Sequence, residues 1–234
     1  APPLTEDAML LTIDEVLSAA EVEQARTLLA QARWVDGRST AGPLAREVKN
    51  NLQIAEDCPT LAPLRRMVLQ ALEREPLVFS AVLPRDIFPP QFNRYRAIGE
   101  GERYGPHVDA AIRLVGERKL RTDVSATLFF SAPEEYDGGE LVIHDLFGTQ
   151  RVKGKAGSIV IYPASSLHEV TPVTRGERLA SFMWFQSLVP DPVERRLLFE
   201  LDMATLTLRS EHGEGALAAR FSTIYHNLLR RWSV

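Results

Sequence analysis

A histidine and an aspartate two positions apart are the residues in this sequence whose types and spacing first suggest chemistry. They are His107 and Asp109, in the stretch YGPHVDA. In an extended strand, residues i and i+2 point to the same side of a sheet, so this imidazole and this carboxylate would face one point. Donors of these types suit a transition-metal ion. Because two ligands hold an ion weakly, a third must come from elsewhere in the chain.

A third donor and a cationic partner occur further along the chain. His168 follows GSIVIYPASSL, an apolar strand pattern, and we expect it at or near a sheet edge. Ten residues later comes Arg178, on a strand pattern whose alternate residues would share one face with it: Ala180, Phe182 and Trp184. Burying an unpaired guanidinium is costly, so Arg178 needs an anionic partner.

Together these residues predict a specific kind of metal centre. Two imidazoles and one carboxylate on one side of an ion leave the opposite positions open, as in the facial triad of non-haem Fe(II) oxygenases. Arg178 could bind the remote carboxylate of an organic acid through a charge-assisted pair. A dicarboxylate with a 2-keto acid at one end, such as 2-oxoglutarate, fits both anchors. The set therefore predicts an Fe(II)- and 2-oxoglutarate-dependent dioxygenase with His107, Asp109 and His168 as ligands.

Other interpretations of these residues remain open at this point. The His–Asp pair could orient a loop, His168 could be a structural histidine, and Arg178 could pair with Glu177 or Glu169. A cupin-like module that binds or senses iron without turnover is one alternative function. A zinc hydrolase is another, because two histidines and a carboxylate also suit catalytic zinc.

The remaining histidines are not expected to bind the metal, and His144 is expected to be structural or to support the ligands from behind. His144 stands beside Asp145, but adjacent strand residues face opposite ways, so the two cannot chelate an ion as a pair. His212 and His226 fall in helical patterns near the C-terminus, where surface or packing roles are expected.

The element pattern predicts a mostly β fold with flanking helices, of the α+β class. Short apolar runs separated by turn residues, without helices between them, predict a jelly-roll core over residues 81–189. Helical regions are expected at 1–80 and 190–234, and Phe129, Phe130 and Trp184 are expected in the core. The polar segment 36–50 suggests a mobile connection, and TRGE at 174–177 suggests a hairpin turn into the last strand.

Composition excludes several classes of function. The chain has 234 residues, 45% hydrophobic and 25% charged, with a net charge of −4, which is typical of a soluble globular protein. Its scattered basic residues argue against nucleic-acid binding, and no apolar run reaches the roughly 20 residues that span a membrane. The single cysteine, Cys58, excludes an internal disulfide and, with no secretory signal at the start, favours the cytoplasm.

Stretches without obvious chemistry also resemble one family. The sequence is similar to the bacterial PKHD-type hydroxylases, iron- and 2-oxoglutarate-dependent dioxygenases related to prolyl 4-hydroxylases. The resemblance implies a double-stranded β-helix, a jelly-roll variant, with L-ascorbate (vitamin C) as a further cofactor. It implies Fe(II) at His107, Asp109 and His168 and 2-oxoglutarate at Arg178, with Tyr95 as a candidate hydrogen-bonding partner of the co-substrate. The similar stretches are WVDGR (34–38), VKNN (48–51), FNRY (92–95), YDGGEL (136–141), VTPVTRG (170–176), ASFMW (180–184) and YHNLLR (225–230).

The expected partners are O2 and a substrate whose identity the sequence leaves open. A small, siderophore-like metabolite and a peptidyl side chain are both compatible with the family resemblance, because shared fold and cofactor do not fix the substrate. Residues 36–50 and 111–121 are expected to flank the mouth of the site. The terminal helices could either brace the sheet or pair two subunits as a homodimer.

Overall fold

The structure is a computed structural model that describes residues 10–40, 43–145 and 148–234. The helices are α1 (Ala19–Ala30), α2 (Pro43–Val48), α3 (Leu61–Arg74), α4 (Pro76–Val82), α5 (Pro192–His212) and α6 (Ala216–Trp232). The strands are β1 (Leu11–Ile13), β2 (Trp34–Asp36), β3 (Lys49–Asn50), β4 (Leu52–Ile54), β5 (Pro84–Ile87), β6 (Gln91–Arg96), β7 (Arg103–His107), β8 (Ile112–Val115), β9 (Arg118–Arg121), β10 (Val124–Phe129), β11 (Tyr136–Gly138), β12 (Leu141–Asp145), β13 (Gly148–Val152), β14 (Ile159–Pro163), β15 (Leu167–Val170) and β16 (Val173–Ser187).

Two antiparallel sheets form the core of the described chain. The larger has the order β1-β14-β10-β16-β6-β4-β2, and β5 and β11 also pair with β16. The smaller has the order β13-β12-β15-β7-β3, while β8 and β9 form a separate hairpin. Apolar side chains of both sheets pack together, including Phe129 and Tyr162 from the larger sheet and Leu141 from the smaller. The predicted mostly β architecture with a jelly-roll core and flanking helices is confirmed.

Strand β10 shows how the larger sheet separates the helical layer from the interior between the sheets. All six of its residues are buried. Val124, Ala126 and Leu128 belong to the apolar cluster that includes residues of α1 and α3. Ser125 and Thr127 alternate with them and line a cavity. The period of two along a strand therefore sends apolar side chains to the helices and polar ones to the site.

The helices begin where the sequence predicts them. Ser18 and Glu21 form a capping box at the start of α1, which satisfies backbone N–H groups that have no partner inside the helix. The Asp191 side chain accepts hydrogen bonds from two backbone N–H groups at the start of α5, with Pro192 as the first helical residue. None of the helices in the described ranges combines the length and apolarity needed to cross a bilayer.

The N-terminal region is less purely helical than expected. Strand β1 pairs with β14 and extends the larger sheet, and β3 pairs with β7 in the smaller one. The segment 36–50, expected as an irregular connection, contains a 3-10 turn, helix α2 and strand β3, although residues 41–42 lie outside the described ranges. Short strands of two or three residues carry too little alternation to stand out in a sequence. The boundaries of the three regions stay a prediction.

The hairpin turn expected at residues 174–177 is absent from the described structure. Strand β16 runs through this segment without a break, and Tyr136 of β11 pairs with Gly176. Gly176 has φ of +68°, and a Cβ at this position would lie 2.0 Å from the carbonyl oxygen of Glu135. The prediction was wrong because the glycine permits a close approach of two backbones, a role that it often has inside strands.

Candidate active site

The structure brings together the three residues predicted as metal ligands. His107 ends β7 and His168 lies opposite it on the neighbouring antiparallel strand β15. Asp109 follows two positions after the end of β7, and its Oδ2 lies 3.7 Å from Nε2 of His168. One donor atom from each of the three residues lies within 4.8 Å of the other two. Strand β15 is the central strand of the smaller sheet, so the expected edge position of His168 was wrong.

Backbone carbonyls orient both imidazoles. Nδ1 of His107 lies 2.8 Å from the carbonyl oxygen of Gly105, and Nδ1 of His168 lies 3.0 Å from that of Ser166. A carbonyl oxygen only accepts, so each Nδ1 carries the proton and each Nε2 keeps its lone pair. Burial, together with the neighbouring His168, lowers the pKa of His107 to about 4. His107 is therefore neutral at pH 7, the form in which an imidazole binds a metal.

Two residues that the sequence did not reveal support these side chains. The Ser125 hydroxyl donates a 2.7 Å hydrogen bond to Oδ2 of Asp109. The Tyr104 ring stacks on the His107 ring with their centroids 3.6 Å apart. Ser125 is a polar residue inside the apolar strand pattern VSATLFF, and that interruption is the signal that could have identified it.

Arg178 lies in the same cavity as these residues, on β16 of the opposing sheet. Its side chain is almost completely buried, at 1% exposure. The two glutamates considered as structural partners are engaged elsewhere, because Glu177 pairs with Arg94 and Glu169 contacts His144. No ion pair links the Arg178 guanidinium to any carboxylate in the described ranges.

Buried polar atoms without hydrogen-bond partners in the described structure gather near this guanidinium. They are Nε of Arg178, the hydroxyl of Tyr136 and the side-chain amide of Asn51. The hydrogen bond from Arg178 Nη1 to Oδ1 of Asn93 is long, at 3.4 Å. The Tyr95 ring centroid lies 5.3 Å from Cζ of Arg178, and burial raises the pKa of Tyr95 to about 12. Because unsatisfied buried polar groups are rare in native proteins, this cluster suits a polar ligand.

One cavity of about 850 Å³ contains both groups of residues. Arg178, Phe182 and Trp184 alternate along β16 and line it, as predicted for one face of that strand. Phe129 and Phe130 are fully buried core residues, as expected. Trp184 is also buried, but it forms part of the cavity wall. The expectation that it packs only in the core was incomplete.

Two basic residues add positive charge to the cavity wall near the metal-ligand candidates. Cζ of Arg113 lies 3.4 Å from the Trp184 ring centroid, and Nζ of Lys49 lies 5.1 Å from the Tyr104 ring centroid. Burial and the nearby Arg113 charge lower the pKa of Lys49 to about 8. These residues come from the segments 36–50 and 111–121, each of which contributes to the lining of the cavity.

The other histidines have the structural contacts expected of them. Nε2 of His144 lies 3.2 Å from a carboxylate oxygen of Glu169 on the neighbouring strand. His212 is at the exposed end of α5, and His226 contacts the Tyr225 ring on α6. None of these three belongs to a cluster of metal-ligand candidates in the described ranges.

Comparison with known proteins agrees with this fold and site. Residues 90–186 match the 2OG-Fe(II) oxygenase superfamily, which defines the class of enzyme. Residues 193–233 match the PKHD-type hydroxylase C-terminal domain. A PKHD-type hydroxylase of Nitrosomonas europaea is 57% identical, and one of Azoarcus is 55% identical, each over 96% of this chain and 99% of the relative. The chain therefore belongs to the PKHD-type hydroxylases, and it is an Fe(II)- and 2-oxoglutarate-dependent dioxygenase.

Solved structures with low sequence identity share the fold. A prolyl hydroxylase from Trichoplax adhaerens, in complex with a hypoxia inducible factor peptide fragment, is 14% identical, with a TM-score of 0.54. That alignment covers 80% of this chain and 86% of the other. HygX from Streptomyces hygroscopicus, with nickel, 2-oxoglutarate and hygromycin B bound, is 15% identical, with a TM-score of 0.50 over 77% and 83% of the two chains. At these identities the likeness concerns the fold alone.

Proposed function

We propose that the enzyme hydroxylates a C–H bond of an organic substrate, with succinate and CO2 as co-products. One oxygen atom of O2 would enter the substrate and the other would enter succinate. The observation that carries the proposal is a single cavity that holds a His–Asp–His cluster and, on its opposite wall, a buried arginine without a described carboxylate partner. A catalytic metal and a dicarboxylate co-substrate both fit such a cavity.

The proposed metal ligands are His107, Asp109 and His168. Two neutral imidazole nitrogens and one carboxylate oxygen are the donor set of non-haem Fe(II) oxygenases. Bound Fe(II) would supply the open coordination positions at which O2 is activated as 2-oxoglutarate is decarboxylated. The protein orients the ligands beforehand, since each Nδ1 is held by a backbone carbonyl and Asp109 is held by Ser125.

The proposed anchor for 2-oxoglutarate is Arg178. Its Nε and the Tyr136 hydroxyl lack partners in the described structure, and a carboxylate could accept hydrogen bonds from both. Tyr136 on β11 opposes Gly176 on β16, two residues from Arg178, and the Arg178 charge lowers the pKa of Tyr136 against a larger upward effect of burial. Tyr95 would support the guanidinium through its ring, opposite Arg178 on strand β6.

Two classes of substrate are proposed for this reaction. Either a small, siderophore-like metabolite or a peptidyl side chain is compatible with a cavity of this size. L-Ascorbate is retained as an accessory cofactor on the family resemblance. A cytoplasmic location and a homodimer formed through the terminal helices stay predictions from the sequence.

The test begins with the metal and the co-substrate. Protein reconstituted with Fe(II) without oxygen is titrated with 2-oxoglutarate while the visible charge-transfer band of the Fe(II)–2-oxoglutarate complex is recorded. We expect the band in the wild type, and an apparent dissociation constant for 2-oxoglutarate that is about 10- to 100-fold higher in Arg178→Ala. Arg94→Gln on the adjacent strand is the matched control, because Arg94 pairs with Glu177, and it should titrate as the wild type does.

Oxygen is then admitted with pools of metabolites and peptides. Succinate release above the background without added pool, together with a product that is heavier by one oxygen atom, would support hydroxylation. A charge-transfer band without succinate release from any pool would favour the iron sensor. Retention of zinc instead of iron, or an unchanged 2-oxoglutarate titration in Arg178→Ala, would contradict the proposal.

A further inference from the structure

We propose that the substrate carries a carboxylate group, and that Arg113 binds it beside Trp184 in the cavity. The inference rests on the proposed function for the reaction itself, and it adds the chemical class of the substrate. The proposed co-substrate anchor, Arg178, lies six residues from Trp184 on the same strand, so the two guanidinium groups would serve different ligands.

The hairpin of β8 and β9 directs Arg113 toward the cavity. Its neighbours Ile112 and Leu114 are exposed, at 53% and 65%, whereas Arg113 is half-buried and lines the cavity. Alternation along a strand explains the opposite directions of these side chains. Cζ of Arg113 lies 3.4 Å from the Trp184 ring centroid, which is a close cation–π contact. Such stacking holds the guanidinium in place and leaves its edge nitrogens able to form in-plane hydrogen bonds.

The described structure gives Arg113 no anionic partner of its own. It forms no ion pair with a described carboxylate, and its Nε is buried without a hydrogen-bond partner. Glu56 also lines the cavity, but it pairs with Arg65 at 2.9 Å. The charge of Asp109 raises the pKa of Arg113 against a larger downward effect of burial. Asp109 is a proposed metal ligand, and its Oδ2 accepts the hydrogen bond from the Ser125 hydroxyl. It is therefore not counted as the anionic partner of Arg113.

The net charge expected with a metal ion and 2-oxoglutarate bound also favours an anionic substrate. A divalent ion, the Asp109 carboxylate, doubly charged 2-oxoglutarate and the Arg178 guanidinium cancel one another. Lys49 has the negative charge of Asp36 nearby, so the positive charge of the half-buried Arg113 then remains in the cavity. Attraction between charges is strong where the dielectric constant is low, so an anionic substrate group is favoured at this position.

Aromatic rings around Arg113 indicate what the rest of the substrate resembles. Phe88 lies edge-on to Trp184 with their centroids 5.3 Å apart, and Cζ of Arg113 lies 5.5 Å from the Phe88 ring. Phe182 is also roughly perpendicular to Trp184, with their centroids 5.4 Å apart. An apolar or aromatic body next to the carboxylate would bury against these rings, as in ligand pockets that combine apolar walls with a few polar groups.

A purely structural role for Arg113 is the competing explanation, because its stacking on Trp184 could simply hold the hairpin against β16. The two explanations differ in one measurable quantity. A structural role predicts no difference between a carboxylate ligand and its uncharged amide. Recognition by the guanidinium predicts a preference for the carboxylate that disappears with the charge of Arg113.

The experiment compares 3-phenylpropanoate with 3-phenylpropanamide as probes. Binding of each is measured by calorimetry on the protein loaded with Mn(II) and saturating 2-oxoglutarate, so that the Arg178 end is already occupied. We expect the carboxylate to bind at least about tenfold more tightly than the amide to the wild type. Arg113→Gln should reduce this preference to near unity, and Arg113→Lys should retain part of it because a charge remains without the planar fork.

Arg118→Gln is the matched control on the same hairpin. Arg118 is exposed and pairs with Asp86 at 2.6 Å, so this variant removes the same charge outside the cavity and should keep the full preference. Equal affinities of the two probes for the wild type, no measurable binding of the carboxylate, or a preference that persists in Arg113→Gln would overturn the inference. The 2-oxoglutarate titration of the same samples separates the two proposals. If the proposed function is wrong, the wild type will not bind 2-oxoglutarate as expected; if only the role of Arg113 is wrong, that titration will be normal and the preference between the probes will be absent.

Discussion

His107 and His168 are directly opposed residues on two antiparallel strands, with ring centroids 4.3 Å apart. Each ring donates a hydrogen bond to the carbonyl oxygen of the residue two positions before it. This similarity means that the orientation of both imidazoles comes from the backbone two residues earlier in the chain, within β7 for His107 and just before β15 for His168. The pair is therefore prearranged to bind an ion without rotation of either side chain.

Replacement of His168 tests that arrangement. His168→Gln should lower the affinity for Mn(II) by at least about tenfold, because a catalytic metal site with three protein ligands would lose one of them. Calorimetry of metal-free protein measures the change. His144→Gln is the control, since His144 lies on the neighbouring strand and contacts Glu169 instead of the cluster. Equal loss of affinity in both variants would mean that the sheet, and not the ligand, had been disturbed.

The hydrogen bond from Ser125 to Asp109 should strengthen metal binding and contribute little to the stability of the fold. Ser125→Ala removes the donor that fixes Oδ2 of Asp109, and loss of such a supporting contact typically lowers metal affinity by about 10- to 100-fold. Ser131→Ala serves as the control, because the Ser131 hydroxyl donates to the Glu177 carbonyl outside the cluster. We expect weaker Mn(II) binding in Ser125→Ala only. Unchanged binding would show that Asp109 keeps its orientation without this contact.

Tyr136 provides a test in which stability and binding change differently. Its hydroxyl is buried without a partner in the described structure, so Tyr136→Phe should leave the free energy of unfolding unchanged or slightly higher. The same variant should bind 2-oxoglutarate up to about tenfold more weakly, because one hydrogen bond to its carboxylate is lost. Tyr225→Phe, in the C-terminal helices, is the control. Lower stability with normal 2-oxoglutarate affinity would contradict this role of Tyr136.

The Glu21–Arg74 ion pair predicts a dependence of stability on pH. Hydrogen bonds from Arg74 lower the pKa of Glu21 from 4.5 to about 2. The unfolded chain therefore takes up this proton first as the pH falls, so the stabilisation is complete above 4.5 and is lost between there and about 2. Glu21→Gln should lower the free energy of unfolding by about 1 kcal/mol at pH 7. The difference from the wild type should shrink steadily below pH 4.5.

Urea unfolding at several pH values measures this difference. Glu23→Gln is the control, because Glu23 is an exposed residue of the same helix. It should show little change at any of these pH values. A Glu21→Gln effect that is constant from pH 7 to pH 3 would show that the capping box, and not the charge, provides the stabilisation.

The parts of the molecule that depend on neighbouring residues in the chain could be predicted from the sequence. The spacing of His107 and Asp109 places them at the same end of one strand, and Ser18 and Asp191 mark the helix starts because their partners lie within three residues. His168 and Arg178 were identified by type, order and the need for a third donor and an anion-binding group. The jelly-roll core followed from many short strands without helices between them.

Relationships across strands could not be predicted in this way. Ser125 reaches Asp109 only because β10 lies across the interior from the end of β7, and Tyr136 approaches Arg178 because β11 pairs with β16. Arg113 belongs to a hairpin whose position over Trp184 depends on packing between elements. Sequence alone does not fix the pairing of strands that are far apart in the chain, so these contacts require the three-dimensional structure.

Strand β16 carries Arg178 and Trp184 six residues apart on one continuous strand, a separation of about 20 Å at the usual rise per residue. Regular sheet hydrogen bonding sets this spacing, so it is far less variable than a spacing set by loops. 2-Oxoglutarate anchored at Arg178 should consequently not reach Trp184, which leaves that part of the cavity wall to the substrate.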